Sequence, residues 1–332
     1  MWLYPNLWPL KQGTDKSGFS GIDNQQLSKI CLSGQPVLEF KINGENLLLM
    51  DETRNPTLSF KDRASTLVVL KAIQSGVKEI AAASTGNAGS SLAGICARLG
   101  LKSFLFVPKN IPAAKRIQMQ SFGAQVCVVE GDYDRAFDLS LEISAARGWY
   151  NRNTAFNPLT IEGKKSAAYD MFLATKGHLP DYIFVPVGDG VILSGIFKGF
   201  WELLQLGWIE RIPALIAVQA SGSDALVRYL ESGTFHYQPA QTIADSIHAG
   251  APRHLYMAAR AVKESKGRAL RVTDGDILES QKQIARETGI LAEPAAAAVF
   301  SGYLKMKEDI PSPAKSLILI TGNAVSYTHL RA

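Results

Sequence analysis

Cysteine is nearly missing from this chain: three in 332 residues, Cys31, Cys96 and Cys127. They lie far apart and form no CxxC, which argues against a disulfide framework and a cysteine-built zinc site and fits a reducing compartment. No stretch of 18 apolar residues occurs, so no transmembrane helix is expected. The start, "MWLYPNLWPLKQG", lacks a basic segment followed by a long apolar one, so no signal peptide is expected and the cytoplasm is the expected location. No block of five or six like charges appears; the net charge of +5 comes from scattered residues. A nucleic-acid stripe would be clustered, so neither nucleic acid nor a membrane is an expected partner. Internal repeats and low-complexity segments are absent as well.

What is present is a globular composition, 46% hydrophobic and 20% charged, which separates the chain from disordered sequences. Its length allows one large or two moderate domains. Short apolar runs alternate with longer amphipathic ones. Strands are expected at "NLLLMDE", "EIAAAS", "SFLFVP", "QVCVVEG", "DYIFVPVG", "PALIAVQA" and "SLILITG". Helical patterns lie between most of them, among them "SFKDRASTLVVLKAIQSG", "NAGSSLAGICARLG" and "ILSGIFKGFWELLQLG", and several end in Gly, a common helix stop. Strands apolar throughout and joined by helices indicate parallel sheets covered on both faces. The expected class is α/β, with two open twisted, mostly parallel sheets. Asn and Pro in "NTAFNPLT" mark the expected break.

In such sheets ligands bind where strands end and helices begin, and four of these turns carry chemistry. In "NPTLSFKDRAS", Ser59 and Asp62 have capping-box spacing, which puts Lys61 in a first helical turn. A first turn favours acids, so Lys61 is either a solvated charge or an amine whose proton is loosened for nucleophilic work. In "AAASTGNAGSS", Ser84, Thr85, Gly86 and Asn87 form a turn suited to a carboxylate, or a helix start capped by Ser84 or Asn87. In "VPVGDGVILSG", Gly188 and Gly190 flank Asp189 ahead of a helix, a cup for a phosphate. Leu193 stands where a dinucleotide fingerprint wants Gly, and no GK[ST] follows. Asp189, a like charge, is expected to point away. Thr321 ends the strand of "SLILITGN" with a hydroxyl that is structural or ligand-facing. Together the turns offer an amine, a carboxylate loop, a phosphate cup and a hydroxyl, the inventory for holding pyridoxal 5'-phosphate.

With these residues in place, the chain resembles the fold-type II pyridoxal-phosphate enzymes, and most closely the threonine synthase family. The resemblance rests on "NPTLSFKDRAS", "STGNAGSSLA", "NPLTIEGKKSAAYD", "VPVGDGVILSGIFKGF", "GILAEPAAAA" and "TG", in order and over nearly the whole chain. It implies that Lys61 forms a Schiff base with the cofactor, that Phe60 flanks the ring and that Asn87 bonds the ring hydroxyl. Gly188, Asp189, Gly190, Val191 and Ile192 would cradle the phosphate, and Thr321 would face the ring nitrogen, leaving it largely unprotonated. Ser84 and Thr85 would hold the substrate carboxylate, with Ala88, Asn157, Thr160 and Arg253 nearby, and no metal takes part. A small domain of residues 56–155 would be inserted in a large one of residues 1–55 plus 156–332, with the cofactor in the cleft. The implied reaction is a lyase conversion of O-phosphohomoserine and water to threonine and phosphate. The alternatives are a β-elimination or replacement on a serine-, threonine- or phosphoserine-like substrate, or a non-catalytic binding role. A small amino acid or phosphoamino acid is the expected partner, and a homodimer the expected assembly.

The chain departs from the family in defined places. Leu58 and Ala64 replace glycines, Ala88 replaces a threonine, and Thr160 stands where the family often has an arginine. Arg253 or His254, within "ADSIHAGAPRH", offers a compensating cation. "CLSGQPVLEF" replaces the early "GEGNTPL". The tail "NAVSYTHLRA" replaces a glycine-rich turn, consistent with truncation or foreign sequence.

Overall fold

The computed structural model describes residues 5–13, 18–30, 37–109, 111 and 113–324. Cys31, most of "CLSGQPVLEF" and nearly all of the departing tail lie outside the described residues. In chain order the elements are α1 (Asn24–Lys29), β1 (Val37–Ile42), β2 (Glu45–Asp51), α2 (Lys61–Gln74), β3 (Glu79–Ala83) and α3 (Asn87–Leu99). Then come β4 (Lys102–Pro108), α4 (Ala113–Ser121), β5 (Gln125–Val129), α5 (Tyr133–Arg147), β6 (Tyr150–Asn151) and α6 (Leu159–Ala174). The chain continues through β7 (Tyr182–Pro186), α7 (Val191–Gln205), β8 (Ala214–Ala220), α8 (Ala225–Ser232), α9 (Leu255–Glu264) and β9 (Arg268–Val272). It finishes with α10 (Asp274–Thr288), α11 (Pro294–Met306) and β10 (Ser316–Ile320). Two compact units result. The first takes the described residues up to 30 together with Asn55–Gly163; the second takes residues 37–54 and 164–324. The passage from "NTAFNPLT" runs into α6, and the division falls within that helix, at Gly163.

The first unit is a four-stranded parallel sheet, β5-β4-β3-β6. Ala81, Ala83, Phe104, Phe106 and Val129 of its strands are buried with Ala136 and Phe137 of α5, and Phe104 stacks on Trp149 at 3.8 Å. The alanines of β3 are small because helices crowd them. α2 and α3 approach closely enough for the Ser91 hydroxyl to reach that of Ser65 at 2.7 Å. Both α3 and α5 stop at a left-handed glycine, Gly100 and Gly148, as their sequences announce.

The second unit is a six-stranded sheet, β1-β2-β10-β7-β8-β9, parallel except for β1 against β2. That hairpin turns at Asn43-Gly44, both at positive φ (52° and 79°), the pair that suits a tight turn between twisted strands. α11 lies on the sheet with Ala295 through Ala298 buried, and a Cβ on its Gly302 would stand 2.5 Å from Val218 Cγ2. Small residues let that helix sit close. α6 is tied to α7 by Glu202, which accepts from Lys165 at 3.0 Å and from Lys198 at 2.5 Å, and also from the Tyr169 hydroxyl. Burial pushes the Glu202 carboxyl up, but the bonds from Lys198 and Tyr169 and the charge of Lys165 together hold it below its ordinary value.

The seven expected strands are all present. The sequence reading missed β1, β6 and β9, and the helices α1 and α8 through α11. β9 sits at the sheet edge and sets Arg268 and Arg271 among Ala269, Leu270 and Val272, so it lacks the apolar-throughout signature of a buried strand.

Candidate cofactor and substrate residues

In the first unit, Asn55-Pro56-Thr57-Leu58 makes the turn that delivers Lys61. Leu58 is left-handed at φ 64°, where the resemblance expects glycine, and its amide donates to Asn55 O at 2.8 Å. The Asn55 side chain in turn donates to Ser59 O at 3.1 Å. Lys61 is the first residue of α2, half-buried, with Phe60 fully buried just before it. The expected capping box does not form. Asp62 instead turns back to accept from Thr57, at 2.6 Å from its amide and 2.5 Å from its hydroxyl. Ser59 Oγ accepts only a long 3.4 Å bond from Lys61 N. A buried carboxylate is better satisfied by an amide and a hydroxyl together than by one exposed cap. The Arg63 guanidinium lies 5.6 Å over the Phe60 ring, which fixes the ring beside Lys61.

The β3–α3 turn is also built differently from either capping alternative. Gly86 takes the cap position with no side-chain bond to the helix. Ser84 Oγ accepts from the amides of Gly86 at 3.3 Å and Gly89 at 2.9 Å, so it braces the turn from outside the helix. Asn87 begins α3 and is buried; its Oδ1 accepts from Lys115 Nζ at 3.0 Å. Thr85 and Ala88 are half-buried beside it. The Asn157 side chain donates to Asn151 O at 2.8 Å and accepts from Leu159 N at 3.0 Å. The Thr160 hydroxyl, fully buried, donates to Asn157 O at 2.8 Å. Both hold the turn that opens α6.

Two cations of this unit escaped the sequence reading. Lys115, 2% exposed, sits in the first turn of α4, the same electrostatically unusual place as Lys61, and that oddity was the signal that could have found it. Arg152, 1% exposed, has its amide on Ala81 O at 2.8 Å and its guanidinium on the hydroxyls of Ser65 and Thr154. Burial lowers the Arg152 guanidinium to about 10, against the opposing pull of Tyr133 and Asp62.

In the second unit, β7 runs into Gly188-Asp189-Gly190 and α7 follows. Both glycines are needed. A Cβ on Gly188 would lie 2.8 Å from Ile247 Cα. Gly190 is left-handed at φ 84°, and its Cβ would lie 2.8 Å from that of Ala258 and 2.9 Å from His254 O. No side chain caps α7 at Gly190, so Val191 and Ile192 begin a 15-residue helix without a side-chain acceptor at that cap. A cradle that side chains would fill, at the positive end of a helix, fits a phosphate monoester. Asp189 O accepts from His254 N at 3.0 Å, and its carboxylate takes the amide of Arg253 at 3.4 Å. The Arg253 side chain is exposed. Thr321, buried just after β10, donates its hydroxyl to Glu293 Oε1 at 3.4 Å.

A cradle for a phosphate, a first-turn lysine and an alternating sheet-and-helix fold define a class of cofactor enzyme. The sequence pattern of pyridoxal-phosphate-dependent enzymes matches residues 34–322, and this chain belongs to that family. Its relatives include the threonine synthase of Methanocaldococcus jannaschii, 33% identical over 93% of this chain and 76% of the relative. The threonine synthase of Synechocystis is 34% identical over 82% of this chain and 69% of its own length. The fold is that of fold-type II enzymes. The T.th. threonine deaminase matches with a TM-score of 0.76 at 22% identity, covering 90% of this chain and 96% of that one. Maize serine racemase matches with a TM-score of 0.76 at 19% identity, covering 90% and 91%. Among the described residues no helix is long and apolar enough to cross a membrane.

Proposed function

We propose that the chain is a threonine-synthase-like lyase that converts O-phosphohomoserine and water to threonine and phosphate. The observation that carries the phosphorylated substrate is Lys115, a buried ammonium 3.0 Å from Asn87 at the start of α3. A fixed cation beside the turn assigned to substrate supplies the charge that Thr160 does not, and a buried cation favours an anion strongly. Likeness to threonine synthases over 93% of the chain supports the same reading.

Pyridoxal phosphate, when bound, supplies a sink for the negative charge that develops on substrate carbon. Lys61 would anchor the cofactor through its amine and, once freed, would take the α-proton and return protons to substrate carbon as phosphate leaves the γ-carbon and water adds at the β-carbon. By the family resemblance, Phe60 and Asn87 would orient the ring, Gly188 through Ile192 would hold its phosphate, and Thr321 would meet its nitrogen. Ser84 keeps the 84–87 turn in shape, so that the amides and Thr85 meet the substrate carboxylate.

Ala88 favours a second reading, in which β-elimination needs no hydroxyl near the reacting carbons. The deciding assay offers the purified holoenzyme O-phosphohomoserine and threonine separately. Phosphate release with threonine formed supports the first reading. 2-Oxobutyrate from threonine, with no phosphate chemistry, replaces it with the second. Lys61→Ala should abolish turnover and the visible absorbance band of the bound cofactor; a band left unchanged removes the anchor assignment.

A further inference from the structure

Arg152 is 1% exposed, and none of the roles above uses it. It lies in the connection from β6 to α6, the one that leads to Thr160. Its amide fixes it to β3 through Ala81 O. Its side chain crosses to α2, where Nε donates to Ser65 Oγ at 3.3 Å and Nη1 donates to the Thr154 hydroxyl. Nη2 is buried and meets no acceptor among the described residues. Each guanidinium Nη carries a pair of N–H groups, so a whole edge of the fork is open. Asp62 is the acid that acts on Arg152, but its own oxygens accept from Thr57. Burial draws the guanidinium down only to about 10, so it keeps its charge at neutral pH. A buried charge with an open donor is costly, and in native structures such a donor usually has a partner in an ion, a water or a ligand.

The place of that open edge gives it a meaning. Ser65 stands one helical turn after Lys61, on the same face of α2. Ser91, one turn after Asn87 on α3, donates to Ser65 Oγ at 2.7 Å. A polar path therefore runs from Arg152 through Ser65 and Ser91, then up one turn of α3 to Asn87 and Lys115 Nζ, 3.0 Å from it. The two buried cations end one path that passes beneath the starts of α2 and α3, all within the first unit. A phosphate monoester carries about two negative charges near neutral pH, and a guanidinium edge pairs with two of its oxygens at once. We propose that Arg152 is a specificity-determining residue that takes the substrate's phosphate through Nη2, with Lys115 as the second cation. The preferred ligand is a phosphate monoester on a short amino-acid side chain, and the arginine missing at Thr160 is supplied from earlier in the same connection. The inference rests on the O-phosphohomoserine reading and names the side chain that separates that substrate from homoserine.

The test uses the holoenzyme, whose glycine cup is filled by the cofactor's own phosphate, so that added inorganic phosphate reports on a second anion site. Calorimetric titration with phosphate is run on wild type, Arg152→Met and Arg152→Lys, beside kinetics with O-phosphohomoserine and a homoserine titration read from cofactor absorbance. Arg152→Met keeps the bulk and removes the charge, a swap that buried sites often tolerate. It should weaken phosphate binding and raise KM for O-phosphohomoserine by roughly tenfold or more, the loss expected for one charged hydrogen bond, and leave homoserine binding in place. Arg152→Lys should fall between, since it keeps the charge and loses the fork. A wild-type holoenzyme that binds no phosphate overturns the proposal, as does a phosphate affinity that Arg152→Met leaves unchanged. Equal weakening toward phosphate and homoserine also overturns it, because a merely structural arginine would disturb both. If Arg152→Met does not fold, Arg152→Lys decides by the same comparison. A wild type that releases no phosphate from O-phosphohomoserine removes the substrate reading alone, and the phosphate titration still decides the role of Arg152.

Discussion

Gly190→Ala puts the phosphate cup to its hardest test, because two separate costs converge on one methyl group. The residue is left-handed at φ 84°, which an L side chain adopts at a cost of roughly 1–2 kcal/mol. The new Cβ would also stand 2.8 Å from Ala258 Cβ and 2.9 Å from the carbonyl oxygen of His254. Neither neighbour can swing away by a rotamer change, so overpacking adds roughly 1–3 kcal/mol. Loss of glycine's freedom in the unfolded chain returns about 0.4–1 kcal/mol. The net penalty of about 1–4.5 kcal/mol is shared between stability and cofactor affinity. If the turn holds its shape, Tm falls by roughly 1.5–6.5 °C. If α9 gives way instead, the bond from His254 N to Asp189 O at 3.0 Å is disturbed, and affinity for pyridoxal phosphate drops about tenfold for each 1.4 kcal/mol. Thermal unfolding and a cofactor titration, run together, read both shares. Gly275→Ala is the control: it lies in α10, and the added Cβ would have only Thr273 Oγ1 near it, at 3.7 Å. If Gly190→Ala matches that control in both Tm and affinity, the account of the cup is wrong.

Three further outcomes are expected. Gly163→Ala would place a Cβ 2.2 Å from Arg63 O and 2.8 Å from Ala64 Cα; chemical denaturation should show a loss of about 2 kcal/mol, the backbone clash outweighing the gain of about 1 kcal/mol in helix propensity. Glu202→Gln should cost about 1.5–3 kcal/mol at neutral pH by removing charged hydrogen bonds from Lys165 and Lys198. Because the folded carboxyl lies below its ordinary 4.5, that contribution is present above pH 4.5 and fades as pH falls through the folded value; wild type and variant should converge in acid, and a difference that persists there contradicts the charge argument. Burial pushes the Cys96 thiol up to about 12, so the native protein should leave Cys96 unalkylated by iodoacetamide at pH 8 while the urea-unfolded chain reacts, as peptide mass spectrometry would read.

What the sequence made legible follows from burial. Strands covered on both faces, such as Leu317–Ile320 and Ile183–Val185, are apolar throughout and were read without difficulty. Edge strands were not: β9 carries Arg268 and Arg271, and β1 was passed over although Asn43-Gly44 marked its turn. The four strand-to-helix turns were legible because glycine, proline and hydroxyls punctuate them. Their internal bonding was not. Ser59 and Asp62 have the spacing of a capping box, yet Thr57 offers Asp62 two donors at once, and no local rule weighs that competition. Glu293 was invisible because it takes its meaning from Thr321, 28 residues along the chain, whereas Lys115 showed itself only as a basic residue in a first helical turn, its partner Asn87 lying 28 residues away.

Leu58 has a consequence for the history open to this loop. A residue at φ 64° acts as a sieve on substitution: β-branched side chains are disfavoured, glycine, asparagine and aspartate pass easily, and leucine sits near the edge of what is tolerated. The stretch leading to Lys61 thus has a narrow exit. Drift at this one site is steered by backbone geometry rather than by anything the side chain touches, and a lineage that acquires glycine there has little reason to leave it.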